Sequence, residues 1–186
     1  MTVRIPNRDV LSQIAHGNQQ AIRFFEDISA QFGALEPGGI GVVSGVTLGA
    51  DVANSLADTL TDTGLAFPVV AGRGYWFRAS VSFTADATST GSRWSVSGPP
   101  APVRLSYMSS YSLTGTTRTI NEGLSAYDLP SAASLTSASA GANTAVVEGH
   151  IEPSASGLVA VRFASEVAGS AITAKRGSIL QWARTI

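Results

Sequence analysis

Convergent His, Cys, Asp or Glu side chains make metal or acid–base chemistry, and this chain offers few of them. It has two histidines, His16 and His150, and no cysteine. A transition-metal site needs several such ligands at set spacings, so these residues do not form one. The lack of cysteine also removes thiolate chemistry and disulfides. His150 lies between Glu148 and Glu152, whose strand spacing is read as two carboxylates on one face with the imidazole on the other. Ordinary surface residues of a half-exposed strand account for them.

Asp51, Asp58 and Asp62 recur at separations of seven and four, which fit neither a calcium loop nor a glycosidase acid pair. Solvation of turns and strand edges explains them better. Serines are plentiful, but no Gly-x-Ser-x-Gly elbow presents one as a nucleophile. Gly38-Gly39-Ile40-Gly41 lacks the lysine of a phosphate loop and follows a helix, and so reads as a hinge. No cofactor site is expected. Among the aromatics, Trp76 and Trp94 fall on strands with polar flanks and are the candidates for contact with a surface ligand. Tyr75, Tyr107, Tyr111 and Tyr127 are assigned to packing.

The elements that must position these residues divide into two kinds. Asn7 can cap a helix, with Asp9 favourable in its first turn. The helix is expected to run to about residue 31 and to end at Gly33 before Pro37-Gly38-Gly39. Leu11, Ile14, Asn18, Ala21, Phe25, Ile28, Phe32 and Leu35 alternate at spacings of three and four. Ile22 and Phe24 widen that stripe beyond a two-stranded seam, favouring a higher-order bundle or docking on another surface. These ten residues form the expected oligomer or anchor interface. Asn18 at a core position either fixes register or chain number or marks a helix bend or solvent edge.

From Gly39 onward the period changes to two. Tyr75, Phe77, Ala79, Val81 and Phe83 alternate with polar partners in the clearest strand. Further strands are expected at 42–48, 53–60, 93–96, 103–111, 145–151, 158–164 and 179–183, separated by Gly-, Ser- and Pro-rich turns. The expected fold is mainly β: an N-terminal α-helix followed by an antiparallel β-sandwich with jelly-roll-like connections. Residues 1–36 are the stem or anchor, 37–62 a linker with the first strands, and 63–186 the sandwich. The Ala- and Ser-rich segment 131–143 reads as a loop.

Composition narrows the function. Hydrophobic residues make up 44% of the 186, enough to bury a core. Charged residues make up only 13%, with a net charge of −1 and no basic block, so nucleic acid and anionic membranes are poor partners. No segment has the roughly 20 apolar residues of a membrane span, and the polar start lacks the order of a secretory signal. Assembly in a cytoplasm is expected.

These residues resemble structural proteins of tailed-bacteriophage virions. Residues 11–15 and 21–26 look like the anchoring helix of such proteins. The β domain of fibre and appendage proteins is similar to Gly64-Leu65-Ala66-Phe67-Pro68-Val69-Val70-Ala71-Gly72, Tyr75-Trp76-Phe77-Arg78, Thr90-Gly91-Ser92, Ser97-Gly98-Pro99, 162–170, Ile172-Thr173 and Gly177-Ser178. The resemblance implies a virion component, a tail or head fibre or related appendage. It would be a homotrimer joined to a capsid, portal or tail protein, with host-surface glycan or protein as a further partner. A capsid decoration protein is the alternative. A glycan-cleaving enzyme is the reading with least support, for want of a convergent acid pair.

Overall fold

The computed structural model describes Gln20, Arg23, Phe24 and residues 39–186. The first three are helical and solvent-exposed, with Phe24 61% exposed. The rest of the expected helix, with Leu11, Ile14, Asn18, Ala21, Ile22, Phe25, Ile28, Phe32 and Leu35, lies outside the described residues.

Residues 39–186 form a sandwich of two antiparallel sheets. The strands are β1 (Val43–Thr47), β2 (Val52–Asn54), β3 (Thr61–Val69), β4 (Tyr75–Ala85), β5 (Ser92–Ser97) and β6 (Arg104–Ser112). They continue with β7 (Arg118–Leu124), β8 (Asn143–Glu152), β9 (Gly157–Ser165), β10 (Ile172–Ala174) and β11 (Ile179–Arg184). The larger sheet has the order β1-β11-β4-β8-β6-β7, and β2 and β10 continue the lanes of β1 and β11 along β4. The smaller sheet is β3-β9-β5. The chain changes sheets between β2 and β3, β3 and β4, β4 and β5, β5 and β6, β8 and β9, and β9 and β10.

The core follows from strand alternation. Tyr75, Phe77, Ala79, Val81 and Phe83 all point inward and are buried, as their spacing predicts. Leu65 and Phe67 of β3, Val159, Val161 and Phe163 of β9, and Trp94 and Val96 of β5 face them from the smaller sheet. Burying each large apolar side chain contributes about 1.5–3 kcal/mol, which makes this layer the main favourable term.

Three departures from the sequence pattern have local causes. The strand expected over 53–60 stops at Asn54, whose side chain donates to the carbonyls of Thr59 and Phe163 and accepts from Leu56 N–H, turning the chain. Strand β3 was masked in the sequence by Gly64 and Pro68. Gly64 has φ +91° within a register shift between Asp62 and Ala66, and Pro68 sits on an edge strand, where its missing N–H is tolerated. Strand β7 has the polar sequence Arg118-Thr-Ile-Asn-Glu-Gly-Leu and is also an edge.

The segment 126–137 runs along the outer edge of β5. Asp128 N–H donates to the Val96 carbonyl at 3.0 Å and Ser134 N–H to the Ser92 carbonyl at 2.9 Å. These bonds occupy backbone groups that an open edge would leave free to pair with another chain. The Tyr107 hydroxyl fixes the segment from the core side, 2.7 Å from the Leu129 carbonyl and 3.1 Å from Ser95 Oγ. Arg162 holds its outer side, with Asp128 at 2.7 Å and Asp62 at 3.0 Å. The Leu129–Pro130 peptide bond is cis.

Candidate functional site

The domain is polarised. At its proximal end lie Gly39 and Ile40, the 70–74 and 153–156 turns, the 98–103 connection and the C-terminus. There Gly41 N–H bonds to the Arg184 carbonyl, Gly72 N–H to the Pro153 carbonyl and Thr185 N–H to the Gly74 carbonyl. The opposite, distal end gathers 86–91, 113–117, 134–142 and 166–171. These are tied by bonds from Asp86 N–H to Ala171, Glu166 N–H to Gly91 and Ser137 N–H to Thr88.

The distal loops present mostly hydroxyls. Thr88, Thr114, Thr136 and Ser137, with Leu113 and Gly115, line a shallow depression of about 270 Å3. Thr136 donates to the Leu113 carbonyl at 3.1 Å, and Ser137 donates to that of Thr90 at 2.7 Å, so the depression is held by its own side chains. Each such neutral hydroxyl can donate one hydrogen bond and accept two, and with the Thr136 and Ser137 hydrogens committed within the loops, those two offer lone pairs to a polyhydroxylated ligand.

At the proximal end a cleft of about 400 Å3 opens between the two edges β1 and β3, lined by Val42, Ser44, Pro68, Val70, Arg73, Tyr75, Trp182 and Arg184. Trp182 stacks on Phe67 with centroids 5.5 Å apart and an interplanar angle of 21°, so its ring forms the floor continuous with the core. The Tyr75 hydroxyl accepts from Val70 N–H at 3.0 Å and braces the rim. Arg73 and Arg184 bring two guanidinium groups, neither in an ion pair among the described residues, and Arg184 Nε is buried without a hydrogen-bond partner. Neither this cleft nor the distal depression was anticipated from sequence. The shared strand parity of Trp182 and Arg184 was the available signal, and the edge position of β3 that completes the cleft was hidden by Pro68.

The two expected surface tryptophans part company. Trp76 is half-buried on the outer face of the larger sheet, its Nε1–H donating to Glu148 at 3.2 Å. Trp94 is corrected: it is wholly buried, stacked on Phe163 at 5.2 Å and 16°, with Nε1–H donating to Ser92 Oγ at 3.0 Å. Its polar neighbours Arg93 and Ser95 face the covering segment 126–137, not water, so polar flanks did not mark an exposed strand. Phe24 is the one expected interface residue among those described.

The carboxylates stay dispersed. Residues two apart on a strand share a face, so Glu148, His150 and Glu152 all lie outward on β8, which corrects the expectation that the imidazole opposes the carboxylates. Glu148 pairs with Arg78 at 2.9 Å and Glu152 with Arg104 at 3.6 Å. Asp62 is held by Arg162. Asp51 accepts from Arg176 N–H at 2.8 Å and from the Lys175 ammonium, joining the 48–51 turn to the 175–178 turn. The Arg176 bond first, and Lys175 next, keep the Asp51 carboxyl below its ordinary pKa. Burial pushes the hydroxyls of Tyr107, Tyr111 and Tyr127 up. Among the described residues no three metal-ligating side chains converge, and no helix is long and apolar enough to cross a membrane.

No family model matches this chain, and no curated protein does. Two solved structures show a distant likeness. A structure of the infectious bursal disease virus Gx strain shares 11% identity over 76% of this chain and 40% of that one, with a TM-score of 0.24. The VP2 subviral particle of infectious bursal disease virus shares 9% over 76% and 39%, with a TM-score of 0.21. The chain spans about two fifths of the length of either. Superposition at that level defines neither its fold nor its role.

Proposed function

We propose that this chain is a non-enzymatic structural component of a virus particle, a fibre-like appendage of a tailed phage. Its N-terminal stem anchors and self-associates as a trimer, and its β domain is displayed outward. The observation that carries the reading is the polarity of the domain: the stem joins at one end, and hydroxyl-rich loops gather at the other. A stalked adhesin needs that arrangement.

The strand order adds support. Lanes β1/β2, β10/β11, β4, β8, β6 and β7 in one sheet pack against β3, β9 and β5 in the other, with 126–137 standing where a fourth lane would extend the smaller sheet, an arrangement compatible with the jelly-roll-like sandwich of virion proteins. The charge-poor surface and the wide apolar stripe of the stem fit a part that works by assembly. The distal depression is the surface for a host glycan.

The test is a glycan array probed with the full chain, alongside Thr136→Arg. Binding to a defined glycan class that Thr136→Arg abolishes supports display of the distal loops. Binding that survives this change, or no binding at any spot, argues for the second reading of a capsid decoration protein, in which the same loops face neighbouring shell subunits.

A further inference from the structure

The proximal cleft has the anatomy of a small-molecule site. Its volume of about 400 Å3 falls in the range of roughly 300–1,000 Å3 that such sites occupy, and its lining is mostly apolar with a few polar groups among it. Trp182 stacks on Phe67 at 5.5 Å and 21° and also lines the cleft, so its ring offers a held surface to a flat apolar body. Val42 on the β1 side and Pro68 and Val70 on the β3 side wall it, and Val70 is 54% exposed.

Charge narrows what such a body must carry. The ion pairs among the described residues engage Arg78, Arg104, Arg162 and Lys175, none of which lines the cleft. The two arginines that do line it, Arg73 and Arg184, have no carboxylate among those residues. Arg184 is half-buried and its Nε has no hydrogen-bond partner, so packing holds the side chain while the protein takes up little of its donor capacity. A guanidinium drawn partly out of water costs free energy that an incoming anion offsets. The Tyr75 hydroxyl accepts from Val70 N–H, which leaves its own hydrogen to donate.

The guanidinium fork matches a carboxylate in shape as well as in charge. A singly charged carboxylate also loses less hydration in apolar surroundings than a phosphate dianion does. We infer that the proximal cleft binds a small organic acid, its flat apolar body on Trp182 and its carboxylate held by Arg73 and Arg184. The site stands apart from the particle role proposed above, which rests on the stem and the distal loops.

The probe is naphthylacetate, added to the full-length chain in a calorimeter. Saturable binding to one site per chain is expected, with a dissociation constant of order 1 mM or tighter, the scale that ligand efficiency gives a body of this size. Arg184→Gln should weaken binding about tenfold and Arg73→Gln about threefold. Arg73 lies on an exposed turn, so its variant keeps the test decisive should Arg184→Gln disturb folding. Uncharged naphthylacetamide, and acetate without the ring, should each bind at least about tenfold more weakly than the acid. An amide or an acetate that binds as well as the acid would overturn the site, and so would an affinity indifferent to both substitutions or no saturable binding. Inorganic phosphate binding more tightly than naphthylacetate would overturn the assignment to a carboxylate. Glycan binding reads the distal loops, so the two tests fail separately.

Discussion

Gly91 packs against the carbonyl of Ser134 so closely that an added Cβ would stand 1.6 Å from the oxygen. The contact holds the covering segment on the edge of β5, where Ser134 exchanges bonds with Ser92. Gly91→Ala must push backbone away from backbone. The expected cost is about 2–3 kcal/mol in urea unfolding, with faster hydrogen exchange at Ser92 and Ser134. A cost within experimental error would show that the segment yields without loss.

Trp94 and Trp76 should behave oppositely. Trp94 fills the core against Phe163 and Phe83, and Trp94→Ala is expected to cost about 3–5 kcal/mol. Trp76 covers outer sheet surface, so Trp76→Ala should cost about 1 kcal/mol or less. Equilibrium denaturation of both variants checks the ordering, and near-equal losses would contradict the full burial of Trp94 and the half-buried setting of Trp76.

How these two tryptophans were assigned shows what the sequence discloses. Period-two alternation located β4 to within two residues and named its inward side chains, because a half-buried strand writes its burial directly into its pattern. The same signal misplaced Trp94, since Arg93 and Ser95 are polar residues hidden beneath a loop that is distant in sequence. Pro68 and Gly64 concealed β3 for the opposite reason: an edge strand tolerates residues that normally break strands. The cleft and the distal depression were illegible because each is assembled from three segments far apart in sequence, and their proximity exists only in the sheet order.

Acid should loosen one corner before the rest. The Asp51 carboxyl is held below its ordinary value of 3.8, so its tie to Arg176 and Lys175 is in place above that value and is lost as pH falls through the lower folded value. The thermal midpoint of the wild type should exceed that of Asp51→Asn near neutrality, and the difference should shrink as the pH falls below the ordinary carboxylate value. A gap that persists unchanged in acid would remove Asp51 as its source.

Alkali should act through the core tyrosines. Burial raises Tyr107 and Tyr111 above the ordinary value of 10.0, so the folded state keeps their protons longer than the unfolded chain does. Their contribution is complete below that value and is lost as pH rises through the folded values. Absorbance at the tyrosinate band should show these two titrating only together with unfolding. Early reversible titration of Tyr107 and Tyr111 would contradict their burial.

Assembly through the stem is the central claim, and the mass of the full-length protein in solution tests it most directly. Sedimentation equilibrium at micromolar concentration should give three chains per particle. Phe25→Asp with Ile28→Asp should reduce this to one chain while leaving the strand signal in circular dichroism intact. A wild-type chain that sediments as a monomer at that concentration would contradict the claim.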